Sequence, residues 1–356
     1  MSRMKRLEVF SPDEIAIVHV MNRVVRRCFL FGTDNVTGIN YDYRKIWIDS
    51  LLQRFAASFG IDLLCYAVLS NHFHLVLRTR PDIVETWSDT EVARRWLTIC
   101  PKRKNRDGSP KEPTQGDINN LRNNSKRLTE IRSRLSDISW WVRLMCQRVG
   151  MRANKEDGQD GKFFQSRYRA VRLLDEESLL ACAAYVDLNP IRAAIAETLT
   201  ASDFTSIQRR IQAMADRPEA DRNLAPIAID ESRDPLGPCP SVLAHRASDK
   251  GFLGMNLCEY IELLDWTSRQ LAPGKAKVDD QTPPVLERLS LNASVWCELT
   301  SKFGQLFNNV AGRPVVVESQ RTRLTDSRFH LRQQAKDVFA FADEPDRLSQ
   351  TNETAA

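Results

Sequence analysis

Two histidines separated by a single residue lie in the stretch Ser-Asn-His-Phe-His-Leu-Val-Leu, residues 70–77. Side chains alternate between the two faces of a β-strand, so His72 and His74 would share one face, about 6–7 Å apart. Neighbouring imidazoles can hold one divalent cation through their neutral ring nitrogens. From this pair alone a second interpretation stays open, in which both histidines face solvent on an amphipathic strand.

A tyrosine and an asparagine four residues apart, Tyr185 and Asn189, form the second pattern with chemical potential. On a helix they would share one face, one turn apart. A tyrosine hydroxyl can act as a nucleophile that forms a covalent intermediate. Because its free pKa is about 10, a metal ion that polarises a bound phosphate would assist the attack. Asn189 could add an oxygen ligand to the two histidines, a set compatible with Mg²⁺ or Mn²⁺.

Structural interpretations of the same two residues remain open at this point. Tyr185 is equally consistent with a core tyrosine whose hydroxyl is hydrogen-bonded. Asn189 precedes Pro190, so it is equally consistent with the N-cap of a further helix over residues 191–198 that has proline in its first turn. Capping and ligation do not exclude one another.

The apolar pattern places these residues on adjacent elements. It predicts strand, helix, two strands, helix, strand and helix over residues 15–23, 44–59, 62–69, 73–78, 138–149, 168–174 and 176–188. Gly150 is expected to end the second of these helices, and Asp175 to cap the third. That order indicates an α+β fold with a ferredoxin-like βαββαβ domain and a trailing helix that carries Tyr185. His19, in the first strand, is interpreted as structural.

A domain over residues 1–199 is predicted to contain one insertion and to be followed by three further segments. Residues 81–134 are interpreted as a basic insertion with a helix around 89–100 and a charged tract over 101–111 that is too polar to pack. We expect a linker over 200–240, a mainly helical accessory region over 241–343 and a disordered tail over 344–356.

The charge distribution favours a polyanionic partner. The chain of 356 residues has a formal net charge of +5, and residues 102–134 contain ten Lys or Arg against four Asp or Glu. Cationic side chains that neutralise phosphates add salt-dependent affinity for nucleic acid. Nearby tryptophans, Trp96, Trp140 and Trp141, could stack on unpaired bases. The alternative is that they are core residues, which we favour for Trp141 and leave open for Trp140.

Other classes of protein are disfavoured. None of the eight cysteines forms a Cys-x-x-Cys pair, which argues against a zinc site. The first residues do not resemble a signal peptide, and no apolar run is long enough to span a membrane. We therefore expect a cytoplasmic, nucleoid-associated protein with no membrane partner.

Three ordered blocks resemble one protein family. These are Asn-His-Phe-His at 71–74, Phe-Gln-Ser-Arg-Tyr at 164–168 and Tyr-Val-Asp-Leu-Asn-Pro-Ile-Arg-Ala at 185–193. They resemble the REP-associated tyrosine transposases, which belong to the single-tyrosine HUH transposases, and residues 19–23 resemble that family's first strand. The resemblance covers about residues 15–195. The insertion at 81–134 and the long C-terminal region depart from the minimal family pattern.

The resemblance implies a ferredoxin-like HUH domain that binds single-stranded or hairpin DNA. By position it implies His72, His74 and Asn189 as ligands of Mg²⁺ or Mn²⁺. It implies Tyr185 as the nucleophile, which would form a 5′-phosphotyrosine link and free a 3′-hydroxyl. Arg167 matches a family arginine, for which we expect a phosphate contact. The active form would be a monomer or a homodimer.

Further DNA contacts are predicted from charge and position, at Arg78, Lys102, Arg103, Lys104 and Arg106. The leading function is thus a transposase that nicks and transfers single-stranded DNA. One alternative is a non-catalytic regulator on the same fold that binds nucleic acid. A weaker one is a relaxase or replication initiator of the same superfamily, in which a third metal-motif histidine is common.

Overall fold

Five strands form one sheet in the order β2-β3-β1-β4-β5. They are β1 Ile17–Arg23, β2 Ile61–Val68, β3 His72–Thr79, β4 Arg169–Leu173 and β5 Val310–Ala311. The first four are antiparallel to their neighbours, and β5 is parallel to β4. The computed structural model describes residues 9–11, 13–25, 30–34, 37–106, 109–165, 167–230, 237–271, 282–324 and 329–342. Over these residues the chain has a mixed α+β fold with many helices.

Helices α1 Arg44–Ser58 and α6 Ile138–Asp157 cover one face of the sheet. Asn22 lies opposite Phe73 in the β1–β3 ladder, and its side chain contacts α6 through Cys146. Helix α6 continues past Gly150, where we expected its end, and stops at Gly158 with φ +59°. The left-handed conformation that a helix end commonly uses is therefore found at the later glycine.

The basic insertion is a packed helical layer and not a loop. It contains α2 Pro81–Thr86, α3 Asp89–Ile99, α4 Gln115–Arg122 and α5 Ser125–Leu135. Apolar side chains from all four helices are buried, among them Ile83, Trp96, Ile118 and Ile131. The charged tract within it forms a backbone turn, in which the amide of Asn105 donates to the carbonyl of Ser109 at 2.9 Å. The side chains of residues 102–106 and of Lys111 are exposed, as expected for a tract too polar to pack.

The segment expected to be a linker covers the edge of the sheet. After α7 Glu176–Asp187 and α8 Asn189–Arg192, helix α9 Ser206–Ala215 lies beside β2. The amide of Ala225 donates to the carbonyl of Leu63 at 2.9 Å, and the buried Arg210 donates to Leu64 and Ala225. Unpaired edge groups of a strand are commonly satisfied in this way. The prediction of a linker over residues 200–240 was therefore wrong for residues 200–230.

The C-terminal region packs on the same sheet. Its helices are α10 Leu257–Leu271, α11 Pro284–Arg288, α12 Ala293–Leu306, α13 Pro314–Leu324 and α14 Gln333–Ala342. Strand β5 extends the sheet from this region, and α12 packs against α7. The predicted tail over 344–356 lies outside the described residues. No helix in the described ranges is both long and apolar enough to cross a membrane.

Candidate active site

The histidine pair lies on the sheet face opposite to α1 and α6. His74 lies beside Met21 and His72 beside Arg23 in the β1–β3 ladder, so all four share that face. The two imidazole centroids are 4.9 Å apart with the ring planes at 79°. His74 is buried, and His72 is partly exposed.

Helix α7 carries Tyr185 to this pair. Asp175 caps the helix by accepting a hydrogen bond from the Ser178 amide at 2.9 Å. Because α7 lies between the sheet and α12, nearly every side chain along it is buried. The Tyr185 ring is perpendicular to that of His74, with centroids 5.4 Å apart. The fold thus brings together two patterns that are more than a hundred residues apart in the chain.

His19 belongs to the same cluster. Its ring stacks on that of His74 with centroids 5.1 Å apart, and its Nε2 lies 2.9 Å from Nδ1 of His74. The Tyr185 ring lies 6.0 Å from that of His19. The sequence favoured a structural role for His19, and the structure places it beside the candidate ligand.

All three imidazoles are held neutral at pH 7. Burial, with a smaller contribution from Arg23, lowers the pKa of His72 to about 4. Burial, with a smaller contribution from Arg169, lowers the pKa of His19 to about 3. Burial also lowers the pKa of His74 well below its ordinary value. Neutral imidazole is the form that ligates a metal.

The ring nitrogens that could hold a metal ion are Nε2 of His72 and Nε2 of His74. His72 Nδ1 lies 2.6 Å from Oδ1 of Asn71; an amide oxygen only accepts, so Nδ1 carries the proton and Nε2 keeps a lone pair. His74 Nε2 is buried without a hydrogen-bond partner in the part of the chain described. Those described residues contain no group of three His, Cys, Asp or Glu arranged to hold a metal. The expected set, two imidazoles and the amide of Asn189, does not require such a group.

Asn189 follows the tyrosine helix closely but does not cap a helix. Helix α7 ends at Asp187, and Asn189 opens the short α8, whose N-cap is Leu188 and whose first turn has no side-chain cap. That helix ends at Arg192, so the alternative of an N-cap for a helix over 191–198 was wrong. The Asn189 side chain is buried.

Two arginines that the sequence analysis did not single out for the site flank it. The Arg192 guanidinium carbon lies 4.6 Å from the centre of the Tyr185 ring, and Arg192 also donates to the carbonyl of Ser301. Arg23 lies beside His72, and its Nε is buried with no partner in the described chain. The seven-residue spacing from Tyr185 to Arg192, two helical turns, was the available signal.

The C-terminal helix α12 closes the cluster. The Phe303 ring lies 5.8 Å from that of His19 and 5.7 Å from that of Tyr185. A Cβ built on Gly304 would lie 3.1 Å from the Tyr185 hydroxyl oxygen. The resemblance covers no part of this region, so nothing in the sequence connected it with the site.

The residues predicted to contact DNA differ in their exposure. Arg78 is buried and donates to Asp62 at 2.8 Å and to the carbonyls of Lys250 and Gly251 at 2.6 and 2.7 Å. Its prediction as a DNA contact was therefore wrong, because every described partner of its guanidinium is internal. Arg167 is exposed.

The cations of the charged tract remain at the surface. Lys104 and Arg106 are exposed. Lys102 and Arg103 are paired with Asp117 at 3.4 and 2.6 Å, so part of their charge is compensated.

Comparisons with known proteins add little. No family model matches the chain, and no curated protein matches it. A solved structure described as "Structure of the REP associates tyrosine transposase bound to a REP hairpin" is similar at 11% identity and a TM-score of 0.34. The alignment covers 59% of this chain and 86% of that one. At this identity and TM-score, the likeness decides nothing about function.

Proposed function

We propose that the protein is a metal-dependent transposase that nicks and rejoins single-stranded DNA from hairpin or palindromic sites. The observation that carries this proposal is the perpendicular contact between Tyr185 and His74, at 5.4 Å, beside His72. A phenol and two neutral imidazoles on one sheet face supply a nucleophile and metal ligands at one place.

The sheet topology supports an HUH domain of ferredoxin-like type. The order β2-β3-β1-β4 with antiparallel neighbours is the order that a split βαβ unit produces. Helix α7 then corresponds to the trailing helix with the tyrosine.

His72, His74 and Asn189 would hold Mg²⁺ or Mn²⁺, through Nε2 of each imidazole and the amide oxygen. When bound, such an ion polarises phosphoryl oxygens and so makes the phosphorus easier to attack. The neutral state of the histidines and the unpartnered Nε2 of His74 support this assignment.

The chain's own residues carry the transfer step. The Tyr185 oxygen forms a bond to phosphorus and loses its proton, while the bond from phosphorus to the 3′-oxygen breaks and that oxygen takes up a proton. The product is a 5′-phosphotyrosine link and a free 3′-hydroxyl. Reversal at a second 3′-hydroxyl would rejoin the strand. Arg192, beside the phenol ring, would stabilise the negative charge that develops in the attack.

Several cationic side chains would contact the DNA backbone. Arg23 lies next to His72, and Lys104 and Arg106 are exposed on the basic insertion. Their contacts with phosphates would make binding salt-dependent. Arg167, which is also exposed, would add one more.

The decisive experiment uses labelled single strands from the flanks of the gene, incubated with the protein and Mn²⁺. We expect a covalent adduct on a denaturing gel that Tyr185→Phe abolishes while it leaves DNA binding largely intact. The control is Tyr43→Phe, since Tyr43 lies at the surface and donates to Glu156. An adduct of full yield from Tyr185→Phe would refute the nucleophile.

A metal-site variant tests the second half of the proposal. His72→Ala should remove Mn²⁺-dependent cleavage without removing DNA binding, because His72 is a proposed ligand and not a core side chain. Undiminished cleavage would count against the metal site. Binding of single strands without any adduct from the wild-type protein would favour the non-catalytic regulator.

A further inference from the structure

Two arginines lie together where α1, α6 and the end of α3 meet. Arg54 belongs to α1 and Arg148 to α6. The Arg148 guanidinium carbon lies 5.2 Å from the centre of the ring of Phe55, the residue that follows Arg54. Nη2 of Arg148 donates to the carbonyl of Ile99, the last residue of α3, and lies 3.8 Å from the Cys100 sulfur. Both arginines are half-buried, so solvent reaches this junction.

The charges of these two arginines are not compensated by the chain. In the part of the chain that the structure describes, no carboxylate pairs with Arg54 or Arg148. Nε of Arg54 and Nη1 of Arg148 are buried, and neither has a hydrogen-bond partner among those described residues. The neighbouring Arg95 on α3, by contrast, pairs with Glu91 at 2.7 Å. Partly buried charges normally have such a partner.

The two guanidinium groups also repel each other. Burial, with a smaller contribution from the charge of Arg148, lowers the pKa of Arg54. Burial lowers the pKa of Arg148 as well. Two like charges close together in a partly dry place are unfavourable, and an anion bound to both would remove that cost. The junction therefore has the electrostatic character of an anion site.

We propose that this junction binds a small phosphate, either inorganic phosphate or a phosphate monoester. The planar N–H fork of a guanidinium matches the spacing of two phosphate oxygens. A phosphate monoester has a charge of about −1.5 to −2 at pH 7, which balances Arg54 and Arg148. The Cys100 thiol, a weak donor, would face a further oxygen. The site lies on the side of the sheet away from His72 and goes beyond the proposed function.

A bound phosphate would hold the basic insertion against the sheet domain. Helices α1 and α6 cover the sheet and contact each other through Phe55 and Trp141, whose ring centroids are 5.4 Å apart. Trp141 is fully buried, as expected. Helix α3 belongs to the insertion. Because the phosphate would bind only where the three helices meet, it would stabilise the folded protein as its concentration rises.

The backbone of DNA is another source of phosphate groups. Nε of Arg54 and Nη1 of Arg148 are buried between helices. A small anion can enter a recess between helices, whereas a DNA strand needs a path that is open in both directions. The burial therefore favours the small phosphate.

Thermal unfolding of the full-length protein without DNA tests the site. At constant ionic strength, we expect millimolar inorganic phosphate to raise the melting temperature of the wild type by about 3 °C. Arg54→Gln should show a much smaller rise. Without phosphate, this variant should melt no lower than the wild type, because it removes a charge that Arg148 repels. Equal rises in both proteins, or no rise in either, would overturn the proposal.

Calorimetric titration with inorganic phosphate measures the affinity itself. We expect Arg54→Gln to weaken phosphate binding by about tenfold or more, since charge-assisted hydrogen bonds are lost. Arg148→Lys keeps the charge but loses the fork, so it should also bind phosphate more weakly. The control is Arg94→Gln on α3, a side chain 54% exposed and paired with Glu91, which should keep the wild-type affinity. Unchanged affinity in both test variants would refute the site.

Glycerol 3-phosphate and a DNA hairpin distinguish the sources of the phosphate. Glycerol 3-phosphate that displaces inorganic phosphate from the wild type would support the site and identify a monoester as a ligand. If neither small phosphate binds and Arg54→Gln weakens hairpin binding instead, the arginines contact the DNA backbone and the proposal is rejected. Phosphate binding by a protein that forms no DNA adduct would keep this site, whatever becomes of the proposed cleavage.

Discussion

The imidazoles of His19 and His74 are hydrogen-bonded to each other, with Nε2 of His19 2.9 Å from Nδ1 of His74. One of the two nitrogens must donate, and in a neutral imidazole the other nitrogen is then an acceptor. If His74 donates, its Nε2 keeps a lone pair for a metal ion, and His19 carries its proton on Nδ1. If His19 donates, the His74 Nε2 is protonated and ligates nothing. Metal binding at His74 therefore requires His19 as the acceptor.

Replacement of His19 should weaken metal binding at the proposed site. Partners that orient a ligating histidine commonly contribute 10–100-fold to affinity, so we expect His19→Ala to lower Mn²⁺ affinity by about tenfold or more in calorimetric titration. His19→Gln keeps an acceptor oxygen and should lose less. His330→Gln, at an exposed position, is the control. Equal Mn²⁺ affinities for wild type and His19→Ala would show that His19 only packs.

The histidines with lowered pKa values should make the fold sensitive to acid. The folded pKa values of His72 and His19, about 4 and about 3, lie below the unfolded value of about 6.5. At pH values between the folded and the unfolded pKa, these histidines are protonated in the unfolded chain and neutral in the folded chain. The free energy of unfolding should therefore fall as pH drops from 6.5 towards 4, by up to about 1.4 kcal/mol per pH unit and histidine.

Urea unfolding at pH 7, 6 and 5 measures this dependence. His72→Gln removes one titrating group, so its stability should fall less steeply with acid than that of the wild type. A wild-type unfolding free energy that is constant between pH 7 and 5 would contradict the pKa values of both histidines.

The local patterns predicted which of the candidate residues lie close together, but not what surrounds them. The period of two placed His72 and His74 on one face, and the strand and helix order brought Tyr185 to the same sheet. The burial of Arg78 could not be predicted from the sequence, because its carbonyl partners at Lys250 and Gly251 lie more than 170 residues away in the chain. A single arginine at a strand end looks the same whether it faces DNA or an internal carboxylate.

Contacts between residues far apart in the chain also explain what was missed over residues 200–230 and in the C-terminal region. Residues 200–230 are polar enough to suggest a linker. They nevertheless form backbone hydrogen bonds with the edge strand β2. Composition alone does not predict such bonds. The contact of Phe303 with Tyr185 depends on how α12 packs against α7. Neither helix has a sequence pattern that predicts which helix it packs against.

Arg78 is expected to matter for stability and not for DNA affinity. Arg78→Ala would leave Asp62, which is fully buried, with Arg80 at 3.5 Å as its remaining ion-pair partner. Breaking a buried ion pair costs several kcal/mol, and we expect a loss of about 3 kcal/mol in denaturant unfolding. The fraction that stays folded should bind single strands with wild-type affinity. A stable variant with weakened DNA binding would restore Arg78 to the DNA contacts.

Asp187 should hold the tyrosine helix to the C-terminal region. It accepts hydrogen bonds from the Ser206 hydroxyl at 2.5 Å, the Ile207 amide at 3.1 Å and the Tyr260 hydroxyl at 2.8 Å. Asp187→Ala removes the acceptor of the Ile207 amide and the Tyr260 hydroxyl and leaves the Ser206 hydroxyl with the Tyr66 carbonyl at 3.3 Å, which should cost about 3 kcal/mol. Tyr260→Phe removes one donor and should cost about 1 kcal/mol.

Thermal and urea unfolding of these two variants provide the measurement. Asp265→Ala, at a side chain that is 59% exposed on α10, is the control and should be near neutral. Equal stability of Asp187→Ala and the control would mean that the network does not hold α7 to α9 and α10.

Gly304 should be required for the position of the Tyr185 hydroxyl. Alanine in place of glycine within a helix normally adds about 0.5–1 kcal/mol of stability, so Gly304→Ala in α12 should not unfold the protein. Its Cβ, however, would lie 3.1 Å from the hydroxyl oxygen, which would have to move by a few tenths of an ångström. Because the reaction slows steeply when reacting groups are misplaced, we expect adduct formation to slow by about tenfold with unchanged DNA affinity.

The matched control is Gly116→Ala on α4, where the nearest atom is 3.9 Å away and adduct formation should keep its rate. Wild-type adduct kinetics in Gly304→Ala would show that α12 does not constrain the Tyr185 hydroxyl.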